Sequence, residues 1–142
     1  VRFGDPETQP VMLRLQSDLV DLVEAAIDGR LDTTGAQWDP RPSLGVVMAA
    51  APYPDTPRTG DVIAGLDDVP AMAKVFHAGT ALDAEGRVVS AGGRVLCVAA
   101  LGESVSGAQR NAYAGVAKVR WTNEFHRTDI GWRAIARERA DA

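Results

Sequence analysis

Apolar residues near the start of the chain recur at steps of three and four, a spacing that predicts one helix over residues 11–28. The apolar stripe of this helix consists of Met12, Leu15, Leu19, Val23 and Ala26. Gly29 follows directly, at the position where a left-handed residue often ends a helix. Residues 1–3 are expected to end a strand. The next stretch, GDPETQP, predicts a loop because its glycine and prolines resist regular structure.

After a turn-rich stretch at residues 31–43, which we interpret as a linker, the pattern changes to short β-type runs. Strands are predicted in LGVVMAAA, GDVIAGL, KVFHAGT, RVVS and RVLCVAAL, with turns at DAEG and AGG. A second helical stripe predicts a helix from about residue 104 to 119, with Ser104 as its N-cap. Phe125, Ile130 and Trp132 are expected to anchor the last segment in the core. Because strands and helices do not alternate, the fold class is predicted as α+β with an antiparallel sheet.

The net charge and the single cysteine limit the kinds of partner and compartment that we expect for this protein. The formal net charge is −4 at pH 7, and with only two lysines no Lys/Arg block forms the footprint of a nucleic-acid binder. No apolar run approaches the length of about 20 residues that a membrane-spanning helix needs. The single Cys97 excludes an internal disulfide and favours a reducing compartment. We therefore expect a cytoplasmic protein that binds neither nucleic acid nor a membrane.

Five collinear stretches of the sequence resemble the phosphoribosylamine–glycine ligase family, also called the glycinamide ribonucleotide synthetases. The stretches are RFGDPETQP (2–10), GDVIAGL (60–66), KVFHAGT (74–80), GGRVLCVAALG (92–102) and RTDIGWRAI (127–135). The first is the most specific of them, and together they cover nearly the whole chain. The resemblance implies a ligase of the ATP-grasp type.

The resemblance also implies a division of the chain. Residues 1–30 would be the tail of an ATP-grasp domain, comprising a strand end, a loop and a helix. Residues 38–142 would be the family's C-terminal domain, a small antiparallel hybrid-motif sheet with one helix. The family's ligands for Mg²⁺ (or Mn²⁺) are expected just upstream of Val1, so the chain looks cut within the site. No metal-binding or cofactor-binding residue is then expected within this chain. The isolated chain is expected to be inactive, and the full-length enzyme to be a monomer.

In the family reaction that the resemblance implies, ATP converts glycine to glycyl phosphate, and the amine of 5-phosphoribosylamine then displaces phosphate. Arg2 is the expected catalytic residue, because a guanidinium stabilises charge that develops on oxygens and stays protonated. Arg2, Asp5 and Glu7 are the expected substrate-binding residues, the two acids serving as acceptors for an amine or ribose hydroxyls. The residues alone leave another interpretation open, in which Asp5 caps a turn and Glu7 is solvated.

Other residues with possible chemistry have a structural interpretation. His77, Trp121 and Trp132 are expected to be structural, and Cys97 to be a buried small hydrophobe. Arg94 either faces the active-site cleft that the resemblance implies or lies on the surface. The alternative function is a non-catalytic structural or interaction module. A carrier domain is disfavoured because neither lysine lies in a predicted hairpin turn.

Overall fold

The computed structural model describes residues 3–140, which form four helices and six strands. The elements are α1 (Thr8–Arg14), α2 (Leu19–Ile27), β1 (Ser43–Ala50), β2 (Ala73–His77), β3 (Thr80–Leu82), β4 (Val88–Ser90), β5 (Arg94–Leu101), α3 (Val105–Val116), β6 (Glu124–His126) and α4 (Trp132–Ala140). A short 3₁₀ turn at Leu66–Asp68 precedes β2. Among these elements, none is a helix long and apolar enough to cross a membrane.

The centre of the fold is a four-stranded antiparallel sheet in the order β2-β5-β1-β6. Alternate residues of its two central strands point to one face, where α3 covers them. This buried face and the helix surface on it consist of Leu44, Val46, Met48, Leu96, Val98, Ala100, Ala108, Ala112 and Val116. The α+β class and the antiparallel sheet are therefore confirmed.

Helix α1 packs on the opposite face of the same sheet. A Cβ added to Gly45 on β1 would lie 3.1 Å from the Cys97 Sγ on β5 and 3.4 Å from the Pro10 Cδ on α1. The Ser43 hydroxyl donates a hydrogen bond to the carbonyl of Pro10 at 2.6 Å. The sheet is therefore covered by one helix on each face, and Gly45 permits the close approach of α1.

The prediction of one helix over residues 11–28 is wrong, because the structure has two. Leu15 adopts an extended backbone, and Asp18 begins α2 by accepting a hydrogen bond from the Val20 N–H at 2.7 Å. Between the helices, the backbone pairs with a later segment instead, through Gln16 N–H to the Gln37 carbonyl at 2.9 Å. Long-range pairing has therefore replaced the helical ladder. The predicted helix end is confirmed, since Gly29 has a φ of +69°.

The C-terminal part of the chain has a second helix, α4, where only one helix was predicted. The stretch GDVIAGL forms isolated bridges, Val62 to Val89 and Ala64 to Arg120, and no strand. Of the predicted anchors, Phe125 and Trp132 are exposed, because the short β6 and the first turn of α4 lie at the surface. Ile130 packs against the core as expected, and Trp121 is buried.

Of the two predicted turns, DAEG closes a hairpin as expected, but AGG joins β4 to β5, which lie in different sheets and do not pair, so the second hairpin is wrong. The predicted helix cap is confirmed. Strands β3 and β4 pair across the DAEG turn, where Asp83 accepts hydrogen bonds from the backbone N–H groups of Glu85 and Arg87. Ser104 caps α3, its Oγ accepting a hydrogen bond from the Gly107 N–H at 3.0 Å. Of the strand end predicted at residues 1–3, only Phe3 is described, and it lies outside any strand.

Candidate functional site

The opening loop turns sharply into α1 at Gly4. The Gly4 carbonyl accepts hydrogen bonds from both the hydroxyl and the backbone N–H of Thr8. A Cβ at Gly4 would lie 1.7 Å from a carboxylate oxygen of Glu7, so the Glu7 side chain folds back over the glycine. A methyl group at this position would therefore require the flexible Glu7 side chain to move away.

Asp5 lies against the sheet, where it pairs with an arginine from β5. Its Oδ2 is 3.1 Å from the Nε of Arg94, and its Oδ1 accepts a hydrogen bond from Gln9 Nε2 at 3.2 Å. This ion pair joins residues that are 89 positions apart and connects the opening loop to the first residue of a central strand. Of the two interpretations left open for Arg94, the surface position is observed, and its partner there is one of the candidate substrate-binding acids.

Tyr53 supports the arginine. Its hydroxyl oxygen accepts a hydrogen bond from Arg94 Nη1 at 3.3 Å, and its ring centroid is 5.9 Å from the guanidinium carbon. The ring lies on Gly93, where an added Cβ would be 2.4 Å from Tyr53 Cδ2. Tyr53 was not among the candidate residues, because the contact depends on how the proline-rich loop folds back onto β5.

A cavity of about 330 Å³ lies beside this arginine, on the sheet face that α1 partly covers. Its walls are mainly apolar, with Val47, Ala49 and Phe125 among them. The polar groups around it are already paired within the described residues: Arg94 with Asp5, and His126 with Glu124 at 3.3 Å. The cavity therefore combines an apolar floor with charged groups at its edge.

The other predicted substrate-binding acid, Glu7, faces a separate groove of about 640 Å³ that Arg14 and Trp38 also line. The structure thus brings Asp5 to the sheet and leaves Glu7 at a different surface. Arg2, the predicted catalytic residue, lies outside the described residues. The substrate contacts assigned to these three residues stay predictions.

The remaining candidate residues have structural surroundings. Cys97 is buried, and burial, assisted by the charge of Asp5, raises its pKa to about 11, so the thiol is not a nucleophile near neutral pH. His77 is exposed, and its Nδ1 lies 3.1 Å from the Thr80 hydroxyl. Within residues 3–140, no three His, Cys, Asp or Glu side chains come together as a metal site.

Comparison with known proteins gives consistent matches. Residues 43–133 match the family described as "Phosphoribosylglycinamide synthetase, C domain". The phosphoribosylamine–glycine ligase of Xanthomonas axonopodis is 80% identical over 139 residues, covering 98% of this chain and 32% of that protein. The enzyme of the same name from Pseudomonas aeruginosa is 59% identical over 142 residues, covering 99% of this chain and 33% of that protein.

A solved structure agrees with these sequence matches. The crystal structure of phosphoribosylamine–glycine ligase from Thermotoga maritima superposes with a TM-score of 0.71 at 33% identity, covering 91% of this chain and 31% of that one. The chain thus spans about a third of the length of the curated relatives that it matches.

Proposed function

Because this chain belongs to the phosphoribosylglycinamide synthetase C-domain family, we propose that it forms the C-terminal part of an ATP-dependent ligase. The ligase joins glycine to 5-phosphoribosylamine and gives glycinamide ribonucleotide, ADP and phosphate, a step of de novo purine biosynthesis. The observation that carries this proposal is the 80% identity, over 98% of the chain, to a phosphoribosylamine–glycine ligase. The whole enzyme is proposed to be a cytoplasmic monomer.

The proposed reaction has two steps. The glycine carboxylate attacks the γ-phosphorus of ATP, and ADP leaves, which gives glycyl phosphate. The amine nitrogen of 5-phosphoribosylamine then attacks the glycyl carbonyl carbon, the C–O bond to phosphate breaks, and the nitrogen loses a proton. Both steps place negative charge on oxygen atoms, so fixed cationic donors lower the barriers.

In this proposal the opening loop supplies the chain's contribution to the substrate site. Arg2 stabilises charge on the transferring phosphoryl group or the substrate carboxylate, because its guanidinium offers two parallel donors. Asp5 and Glu7 accept hydrogen bonds from the amine or the ribose hydroxyls. The contact of Asp5 with Arg94 supports this role for the loop, since it ties a candidate substrate-binding acid to the family domain.

ATP and its Mg²⁺ or Mn²⁺ are proposed to bind outside this chain. The described residues offer no set of three metal ligands, and the sequence has no glycine-rich phosphate loop of the GxGxxG or Walker type. The isolated chain should therefore neither bind MgATP with micromolar affinity nor catalyse the ligation. Calorimetry with MgATP tests this, and micromolar binding would contradict the proposed division of the enzyme.

A chimera tests the proposed function directly. This chain replaces the matching 139-residue segment of the Xanthomonas axonopodis ligase. We expect the chimera to release ADP in repeated turnovers only when glycine and 5-phosphoribosylamine are both present, at a rate within a few-fold of the parent enzyme. A chimera that folds and binds MgATP but forms no glycinamide ribonucleotide would contradict the proposal and favour a non-catalytic module.

A further inference from the structure

Asp5 is held from two directions. Arg94 reaches one carboxylate oxygen from β5, at 3.1 Å, and Gln9 reaches the other from within α1, at 3.2 Å. Because both oxygens have a donor, the plane of the carboxylate is fixed relative to the sheet. The donor on the sheet side comes from a strand whose next six residues are all buried, which gives Asp5 a rigid support.

Arg94 is itself restrained by Tyr53. The tyrosine hydroxyl accepts a hydrogen bond from Nη1 at 3.3 Å, and the ring packs on Gly93 immediately before the arginine. The backbone fixes the ring in turn, because Tyr53 N–H donates to the Ala50 carbonyl at 3.0 Å and Ala50 N–H donates to the Gly93 carbonyl at 2.9 Å. A continuous set of contacts therefore runs from the end of β1 to the opening loop.

The ion pair of Asp5 with Arg94 is too exposed to solvent to act as a stabilising core contact. The Arg94 side chain is 41% exposed and that of Asp5 is 40% exposed. Ion pairs this exposed contribute little to folding stability, because water and salt screen them. The pair lies instead at the edge of a cavity of about 330 Å³ that Arg94 lines, so the loop acid that it contacts can be reached by a small molecule.

We propose that Arg94 is a positioning residue, which acts through Asp5 to orient the opening loop toward the amine substrate, and that Tyr53 holds Arg94 in place. The inference rests on the proposed function, since Asp5 has an amine substrate only if the chain is part of the ligase. It adds to that function two residues, from β5 and from the loop after β1, that support the substrate-binding loop without contacting the substrate.

The test uses the chimeric ligase and a double-mutant cycle. Arg94→Gln should raise the KM for 5-phosphoribosylamine and lower kcat/KM roughly 10- to 100-fold, the scale expected when a reactive group is misplaced by about 1 Å. The KM for ATP and the melting temperature should change little. Combining Arg94→Gln with Asp5→Asn should cost no more than Asp5→Asn alone, because the arginine acts through the aspartate. Tyr53→Phe keeps the ring but removes the acceptor, and should cause a smaller shift in the same direction.

Arg87→Gln is the matched control. Arg87 forms a comparable surface pair with Asp83 at 2.7 Å in the β3–β4 turn, so its loss should leave the KM for 5-phosphoribosylamine unchanged. If Arg94→Gln does not fold, Arg94→Lys takes its place, and it should raise the same KM because it loses the contact with the tyrosine.

Three outcomes are distinguishable. A folded Arg94 variant with unchanged KM, or fully additive effects of the Arg94 and Asp5 changes, would overturn the inference while the ligase function stands. An unsubstituted chimera without activity would contradict the proposed function and, with it, this inference. A raised KM, non-additive with Asp5→Asn and absent in Arg87→Gln, supports the positioning role.

Discussion

Glu138 on α4 caps the helix that begins at Val105. Its Oε1 accepts a hydrogen bond from the Val105 N–H at 2.7 Å, and its Oε2 accepts one from the Ser106 N–H at 3.2 Å. Ser104 satisfies the next N–H, that of Gly107. The first three donors of α3 are thus occupied by two side chains, and a carboxylate at a helix N-terminus is also favoured by the helix dipole.

Glu138→Gln should lower the melting temperature at pH 7 and make the stability less sensitive to a fall in pH. The backbone hydrogen bonds lower the Glu138 pKa below its ordinary value of 4.5. Its contribution is therefore complete above pH 4.5 and is lost as the pH falls through the folded-state pKa. The gap in melting temperature between the wild type and Glu138→Gln should shrink over that range.

Thermal unfolding from pH 7 to pH 3 measures this gap, and Glu24→Gln, an exposed change on α2, is the control. A gap that is constant or widens with acidity would contradict the capping role.

Gly65→Ala should be far more destabilising than Gly86→Ala, although both residues have a positive φ, +81° and +78°. At Gly86 nothing lies within 4 Å of an added Cβ, so only the left-handed backbone is penalised, by about 1 to 2 kcal/mol. At Gly65 the Cβ would lie 2.0 Å from the carbonyl oxygen of Lys118. The neighbouring backbone cannot move away easily, because Ala64 and Arg120 exchange two hydrogen bonds. Urea unfolding of the two variants measures the loss of unfolding free energy in each. Equal losses would show that the backbone at Lys118 moves away from the added Cβ.

Cys97 should react slowly with a thiol reagent in the native state. Burial raises its pKa from 9.0 to about 11, and the thiolate is the reactive form. At pH 8 the native thiolate fraction is roughly 100-fold lower than in the unfolded chain. The rate with a disulfide reagent should therefore rise by at least that factor in denaturant. Comparable rates in both states would indicate that the sheet face under α1 opens readily.

In the chimeric ligase, Arg2→Lys should lower kcat by roughly 10²–10³, the usual cost of losing a preorganised charge-stabilising donor. The ATP affinity should change little. Asp5→Asn and Glu7→Gln should mainly raise the KM for an amine or amino-acid substrate, because they orient the substrate. Steady-state kinetics on folded variants measure the split, with Arg30→Lys, an exposed surface change, as the control. A folded Arg2→Lys enzyme with near-normal kcat would exclude the catalytic role.

Sequence patterns predicted the parts of the fold that depend on residues close together in the sequence. Ser104 directly precedes an apolar helical stripe, and Asp83 opens a four-residue turn, so both could be placed from local spacing. The break between α1 and α2 could not, because the apolar stripe continues through it. What interrupts the helix is pairing of Gln16 with Gln37, and Asp39 N–H with the Arg14 carbonyl, which only tertiary folding brings together.

The candidate site follows the same division. The motif RFGDPETQ identified Asp5, but its partner Arg94 is 89 residues away and is ordinary in its local context. Tyr53 enters because Gly93 leaves room for its ring, a complementarity between two loops that no single stretch encodes. Residues within a local motif could therefore be predicted from the sequence, but their partners at long range could not.

The packing of α1 on the second face of the sheet has a consequence for how proteins of this family can evolve. Residues before and after the turn-rich stretch at 31–43 share one interface, through Pro10, Gly45 and Cys97. A genetic crossover in that stretch would combine a helix from one parent with a sheet from another, and a larger side chain at position 45 would separate them. Recombination between distant relatives should therefore succeed more often when the crossover lies upstream of α1 than when it lies at the apparent linker.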